Sequence, residues 1–163
     1  MKKTVYLSLG SNLGDRAANL EEALRRLEAL GYVAGKSAFY ETEPVEVERE
    51  QPWFLNCAAA IETELMPKQF LEQTLAIELE MGRRRLEKKG PRTIDIDIIF
   101  FGNAVVELPG LTIPHPAMQQ RRFVLAPLAE IAAEARHPVS KRTVRELLDM
   151  LPSNGKVRKY QAK

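Results

Sequence analysis

One run of eight residues limits this chain more than any other: Ile94 to Phe101 reads Ile-Asp-Ile-Asp-Ile-Ile-Phe-Phe. β-branched and aromatic residues favour an extended strand, and the following Gly102-Asn103 is a turn signal. Alternate side chains of a strand point to opposite faces. Ile94, Ile96 and Ile98 therefore enter a core, while Asp95 and Asp97 project together from the other face, ~6–7 Å apart at Cα. The chain must build a sheet with one covered apolar face and one face that tolerates paired acids. A solvated edge strand would tolerate them. A cation between them would give them a purpose, and oxygen ligands of this kind suit Mg²⁺, which takes carboxylates and fills its shell with water and phosphate.

The charge around this strand favours the second reading. The formal net charge is only +2, but residues 1–82 carry net −6 and residues 83–163 net +8. Residues 83–92, Arg-Arg-Arg-Leu-Glu-Lys-Lys-Gly-Pro-Arg, hold six cations against one anion. Such a cluster suits a polyanion, a nucleotide triphosphate or a nucleic acid; on its own it also suits a solvated loop. Carboxylates that hold Mg²⁺ beside arginines are what phosphoryl-type transfer needs. The chain has neither a Walker A motif nor a G-x-G-x-x-G, so a nucleotide site must come from scattered groups. Only His115 and His137 are histidines, and Cys57 is the one cysteine, which excludes zinc clusters and an internal disulfide. His115 stands in a rigid Pro114-His115-Pro116 loop, where it is either incidental or a donor to phosphate.

The remaining pattern sets a fold. Thr4 to Leu9 reads as a strand; Arg16 starts a helix capped by Asp15 and ended by Gly31. Tyr32 to Thr42 and Phe54 to Leu65 read as strands, and Glu41 to Glu50 as an acidic loop. Pro67 opens a helix to Met81, whose apolar residues include Phe70, Leu71, Leu75, Leu79 and Met81. Glu78 on that helix is either an edge carboxylate reaching water or a polar contact at a pocket floor. Arg122 to Ala133 and Thr143 to Leu151 look helical, and residues 152–163 are expected to fray. The order βαββαβ with extra C-terminal helices predicts an α+β ferredoxin-like sandwich: a mainly antiparallel sheet with helices on one face, in a single domain over 1–163. With 45% hydrophobic residues, no run near the ~20 a membrane helix needs, and an N-terminal apolar stretch broken at Gly10, the expectation is a cytoplasmic protein.

Several strings now fall into a known order: Gly10-Ser11-Asn12-Leu13-Gly14-Asp15-Arg16, Phe54-Leu55-Asn56, Gly82 to Arg85, Gly90-Pro91-Arg92-Thr93-Ile94-Asp95-Ile96-Asp97 and Ile113 to Pro116. With them the chain, from about Val5 to Leu151, resembles the 6-hydroxymethyl-7,8-dihydropterin pyrophosphokinase family of folate biosynthesis. The resemblance implies transfer of the β,γ-pyrophosphoryl group of ATP to the pterin hydroxymethyl, leaving AMP. It implies two Mg²⁺ ions at Asp95 and Asp97 and catalytic arginines at Arg83 and Arg92. It puts ATP contacts at Glu78, Arg85, Ile98, Thr112, His115 and Arg121, and pterin contacts at Thr42, Pro44, Val45, Phe54, Asn56 and Phe123. That last set is chemically sensible: a flat heteroaromatic wants stacking from Phe54 and Phe123, and its amide edge wants the donor and acceptor of Asn56. The sequence departs from many members at Glu46–Glu50, where they carry glycines, at Lys89, where some have tryptophan, and at Gly110, where some have arginine. The implied partners are small-molecule substrates, without nucleic acid or membrane, for a monomeric enzyme. The competing readings are a ferredoxin-like nucleic-acid-binding module, for which Tyr6 is the one aromatic on the first strand, and a regulatory ligand-binding domain without chemistry.

Overall fold

The computed structural model describes residues 1–43, 53–82, 93–152 and 157–160. The central strand β1 (Lys3–Ser11) pairs antiparallel with β4 (Phe54–Thr63) on one side and β5 (Asp95–Phe101) on the other. Beyond β4 lie β2 (Tyr32–Lys36) and β3 (Tyr40–Thr42), which pair with successive stretches of it. The expected single strand from Tyr32 to Thr42 is thus broken, and Ser37 bridges the gap: its N–H donates to the Ala58 carbonyl at 2.9 Å and its Oγ accepts from the Ala58 N–H at 2.9 Å.

Helix α1 (Arg16–Leu27) connects β1 to β2, and α2 (Pro67–Glu80) connects β4 to β5. Together with the antiparallel strand order this is the ferredoxin-like sandwich. Asp15 caps α1 by accepting from the Ala18 N–H at 3.1 Å. Leu20, Ala23, Leu24 and Leu27 of α1 and Phe70 and Ile77 of α2 pack on Val5, Leu7, Leu9, Leu55, Ile61, Ile96 and Ile98. Each large apolar side chain so buried contributes about 1.5–3 kcal/mol. The apolar stripe expected on α2 is only half right. The helix buries Phe70, Thr74, Ile77 and Glu78 and leaves Leu75 at 40% and Leu79 at 67% exposure.

The second sheet face is divided. An extra residue at Ile99 interrupts the β1–β5 register, so Ile99 and Phe100 both turn to this face. They pack with Tyr6 and Ala58 beneath α3 (Arg122–Ala132) and α4 (Val144–Asp149). Tyr6, the aromatic a nucleic-acid-binding sheet would present, lies edge-on to Phe100 at 6.2 Å. Glu130 fastens α3 to the far strands, accepting from the Ala38 N–H at 3.0 Å and the Tyr40 hydroxyl at 2.6 Å. Burial and that hydrogen bond push the Tyr40 phenol up to about 12. No helix of the described residues covers the rest of this face.

Past the Gly102-Asn103 turn the chain does not rejoin the main sheet: β6 (Val106–Leu108) and β7 (Leu111–Ile113) form a separate hairpin, turned at Pro109-Gly110 with Gly110 at φ 79°. Proline followed by a glycine of positive φ is the type II pattern, which accounts for Gly110 where an arginine would be strained. The tail does not fray throughout either. Val157–Lys159 forms β8, paired with β3.

Candidate active site

The uncovered part of the second face is built from the ends of β1, β4 and β5. Gly10 lies opposite Asp95 on one side and Asn56 on the other; Ser8 lies opposite Asp97 and Ala58. Two strand spacings separate Asp95 from Asn56, about 10 Å at Cα. Gly10 between them leaves room for the Asn56 amide. A Cβ there would come within 2.7 Å of Asn56 Nδ2 and 3.4 Å of Phe54 Cδ1. In the sequence Gly10 is only one member of a motif; its place between Asp95 and Asn56 is visible only in the strand register.

At the β4 end, Phe54 is half-buried and faces Thr42 across the β3–β4 ladder. Asn56 is 4% and Thr42 7% exposed, yet Asn56 Oδ1 and Thr42 Oγ1 have no hydrogen-bond partner among the described residues. A buried polar atom left so costs about 1–3 kcal/mol, and native folds seldom leave such groups without a reason. Both atoms belong to residues singled out from the sequence.

At the β5 end, Asp95 and Asp97 are half-buried on the same face, as the alternation predicts. Among the described residues no group of three or more histidines, cysteines or acids forms a metal cluster. A pair of half-exposed carboxylates fits a hard cation that draws its other ligands from water and phosphate. Glu78 is not at the solvent edge. It is 3% exposed, and its Oε2 accepts from the Ile96 N–H at 2.7 Å. Strand β5 is the sheet's edge, so this bond occupies an outward N–H and braces the strand from behind, between the two aspartates. Ile98 has its side chain in the core, which leaves only its backbone for a ligand.

The loop after β7 comes back to β5. The His115 N–H donates to the Ile99 carbonyl at 3.1 Å, and its Nδ1 accepts from the Ala117 N–H at 3.2 Å. Burial first, then the Arg121 charge, lowers the His115 pKa below its usual value, while Asp95 acts in the opposite direction. A neutral ring with Nδ1 accepting carries its proton on Nε2, a donor suited to an anion. The Arg121 guanidinium lies 5.5 Å from the centre of the half-buried Phe123 ring. Thr112 is exposed on β7, opposite Glu107.

The structure thus gathers Thr42, Phe54, Asn56, Asp95 and Asp97 on one face, with His115 and Arg121 in electrostatic reach of Asp95 or one another. Pro44, Val45, Arg83, Arg85 and Arg92, with the departures at Glu46–Glu50 and Lys89, lie outside the described residues. Cys57 is in the core, where burial pushes its thiol up to about 12. Among the described residues no helix is long and apolar enough to cross a membrane.

Comparison with known proteins adds an independent finding. The family model for 7,8-dihydro-6-hydroxymethylpterin-pyrophosphokinase matches residues 6–133. The 2-amino-4-hydroxy-6-hydroxymethyldihydropteridine pyrophosphokinase of Methylorubrum extorquens is 45% identical over 152 residues, covering 92% of this chain and 94% of that protein. A folic acid synthesis protein of Dictyostelium discoideum is 40% identical over 153 residues, 94% of this chain but 23% of that protein, so the chain spans about a quarter of this longer relative. Wild-type Plasmodium falciparum HPPK-DHPS, solved with pterin and p-hydroxybenzoate, matches with a TM-score of 0.72 over 91% of this chain and 42% of that chain, at 20% identity. That last likeness concerns the fold.

Proposed function

The chain belongs to the 7,8-dihydro-6-hydroxymethylpterin-pyrophosphokinase family, and from that premise we propose that it transfers pyrophosphate from ATP to the hydroxymethyl group of 6-hydroxymethyl-7,8-dihydropterin in folate biosynthesis. The hydroxymethyl oxygen bonds to the β-phosphorus of ATP. The bond from that phosphorus to the oxygen bridging to the α-phosphate breaks, AMP departs with that oxygen, and the hydroxyl proton is released to solvent.

The observation that carries the reading is the row Asp95–Gly10–Asn56, flanked by the unpartnered buried atoms of Asn56 and Thr42. It offers a carboxylate pair at one end and unused hydrogen-bonding capacity at the other, with no side chain between. In this reading Asn56 and Thr42 meet the polar edge of the pterin, while Phe54 and Phe123, with Pro44 and Val45, stack on its ring or enclose it. Asp95 and Asp97 hold Mg²⁺, two ions by family resemblance, which when bound would neutralise phosphate charge. His115 donates from Nε2 to a phosphate oxygen, and Arg121 and Arg85 add charge there. Arg83 and Arg92 meet charge that develops in the transition state. Glu78 and Thr112, with the Ile98 backbone, serve the nucleotide side. The setting we propose is a cytoplasmic, monomeric, single-domain enzyme with small-molecule substrates.

The test is direct. The purified protein, given ATP, Mg²⁺ and the pterin alcohol, forms AMP and the pterin diphosphate in equal amounts. ADP in place of AMP, or no product at all, overturns the reading.

A further inference from the structure

The family model matches as far as residue 133, and β8, well beyond it, reaches the site from behind. The Arg158 guanidinium on β8 stacks 4.6 Å from the centre of the Trp53 ring, and its Nε donates to Glu41 Oε1 at 3.3 Å. The other oxygen of Glu41 accepts from Arg16 Nη2 at 3.1 Å. Arg16 Nη1 in turn donates to the Trp53 carbonyl at 2.9 Å, and the same guanidinium lies 5.7 Å from the Tyr160 ring centre. The Glu41 carboxylate thus ties the start of α1, β3 and β8 together and, through both arginines, holds Trp53.

Each tie is adjacent to the face described above. Glu41 precedes Thr42 and Trp53 precedes Phe54, while Thr42 pairs with Phe54 on one side and Val157 on the other. Alternation along a strand directs neighbours to opposite faces, so the cluster backs the wall and does not enter it. Arg16 and Tyr160 agree, since α1 and Tyr160 belong to the core on that opposite side.

We propose that Arg158, through Glu41 and Trp53, is a positioning residue for the wall of Thr42, Phe54 and Asn56, and so sets affinity for the flat heteroaromatic substrate without touching it. This rests on the pterin assignment proposed above. A ring stacked on Phe54 and an amide edge matched to Asn56 both depend on small displacements of these strands, to which substrate alignment is steeply sensitive.

Trp53 is the only tryptophan in the chain, so its emission reports the contact without a label. In Arg158→Ala the emission shifts as the ring is uncovered, and KM for the pterin alcohol rises about tenfold, while KM for ATP stays within about twofold. Arg158 has a side chain 65% exposed, so the melting temperature moves by less than about 3 °C. Arg158→Lys keeps a cation over the ring and recovers part of the pterin KM; Glu41→Gln raises it again. An unchanged emission overturns the proposal, as does an unchanged pterin KM or an equal rise in both KM values. A wild-type protein that makes no AMP removes the pterin assignment and this inference with it. An active wild type matched by Arg158→Ala removes the inference alone.

Discussion

The second face of the sheet is one surface with two kinds of half. Under α3 and α4, apolar residues interlock, and the buried polar group there is satisfied: His137, 5% exposed and edge-on to Phe100, accepts at Nδ1 from the Val139 N–H at 3.2 Å and the Ser140 N–H at 3.1 Å. On the open half, Asn56 Oδ1 and Thr42 Oγ1 are buried without partners among the described residues, and two carboxylates sit side by side. The same strands supply both halves, so backbone geometry does not distinguish them. What differs is whether the described residues complete the buried polar atoms. Where they do, the residue serves stability; where they do not, as at Asn56 Oδ1 and Thr42 Oγ1, the atom is open to a further partner.

Substitutions on the open half should therefore remove activity with little loss of fold, and the largest such effect belongs to the carboxylates. Asp97→Ala is expected to reduce AMP formation by ~10³-fold or more, since it removes a ligand for the charge-neutralising cation. Steady-state kinetics with thermal melting checks both halves of the statement, and a large drop in melting temperature would erase the contrast between the two regions.

Gly10→Ala should have a smaller and more selective effect. The added methyl meets the Asn56 amide at 2.7 Å, and overpacking of this kind costs about 1–3 kcal/mol. The amide is displaced, so KM for the pterin alcohol rises about 10–100-fold while KM for ATP changes little. If both rise together, the row across β1 is not divided into a pterin end and a phosphate end.

How much of this was readable in advance depends on the range of the signal. The alternation in Ile94 to Ile98 is local and predicted the face of each side chain correctly. It failed one residue later, because Ile-Ile-Phe-Phe is apolar at every position and carries no mark of the extra residue at Ile99. Glu78 was legible as an oddity but not as a brace: its partner is the Ile96 N–H, 18 residues away in a strand whose edge position only the sheet order defines. The α2 stripe misled because Thr74 and Glu78 are buried against the sheet while Leu75 and Leu79 face outward. Asn56 was singled out by family likeness, not by pattern, since one amide in an alanine-rich strand has no local signature. The arginine–tryptophan cluster was invisible for a similar reason. Arg158 and Glu41 are 117 residues apart, and Val157-Arg158-Lys159 is too short and polar to read as a strand.

The smallest expected effect tests the covered half by pH. Burial lowers the His137 pKa below the usual 6.5. With Nδ1 committed to accepting two N–H groups, the neutral ring carries its proton on Nε2, and the Gln119 amide 3.1 Å away must turn its oxygen toward it. The unfolded chain then binds a proton that the folded chain refuses. Stability is complete above about pH 6.5 and declines as pH falls from there toward the lower folded value, by at most ~1.4 kcal/mol per pH unit for this one group. Melting temperatures measured from pH 8 to 5.5 should be level down to about 7 and fall below 6.5. In His137→Asn the side-chain oxygen keeps an acceptor for the same two N–H groups but does not titrate, so the decline flattens. His115, also lowered by burial, adds a slope of the same sign from the open half. A profile equally steep in His137→Asn would assign the whole pH response to His115 and leave the covered half electrostatically inert.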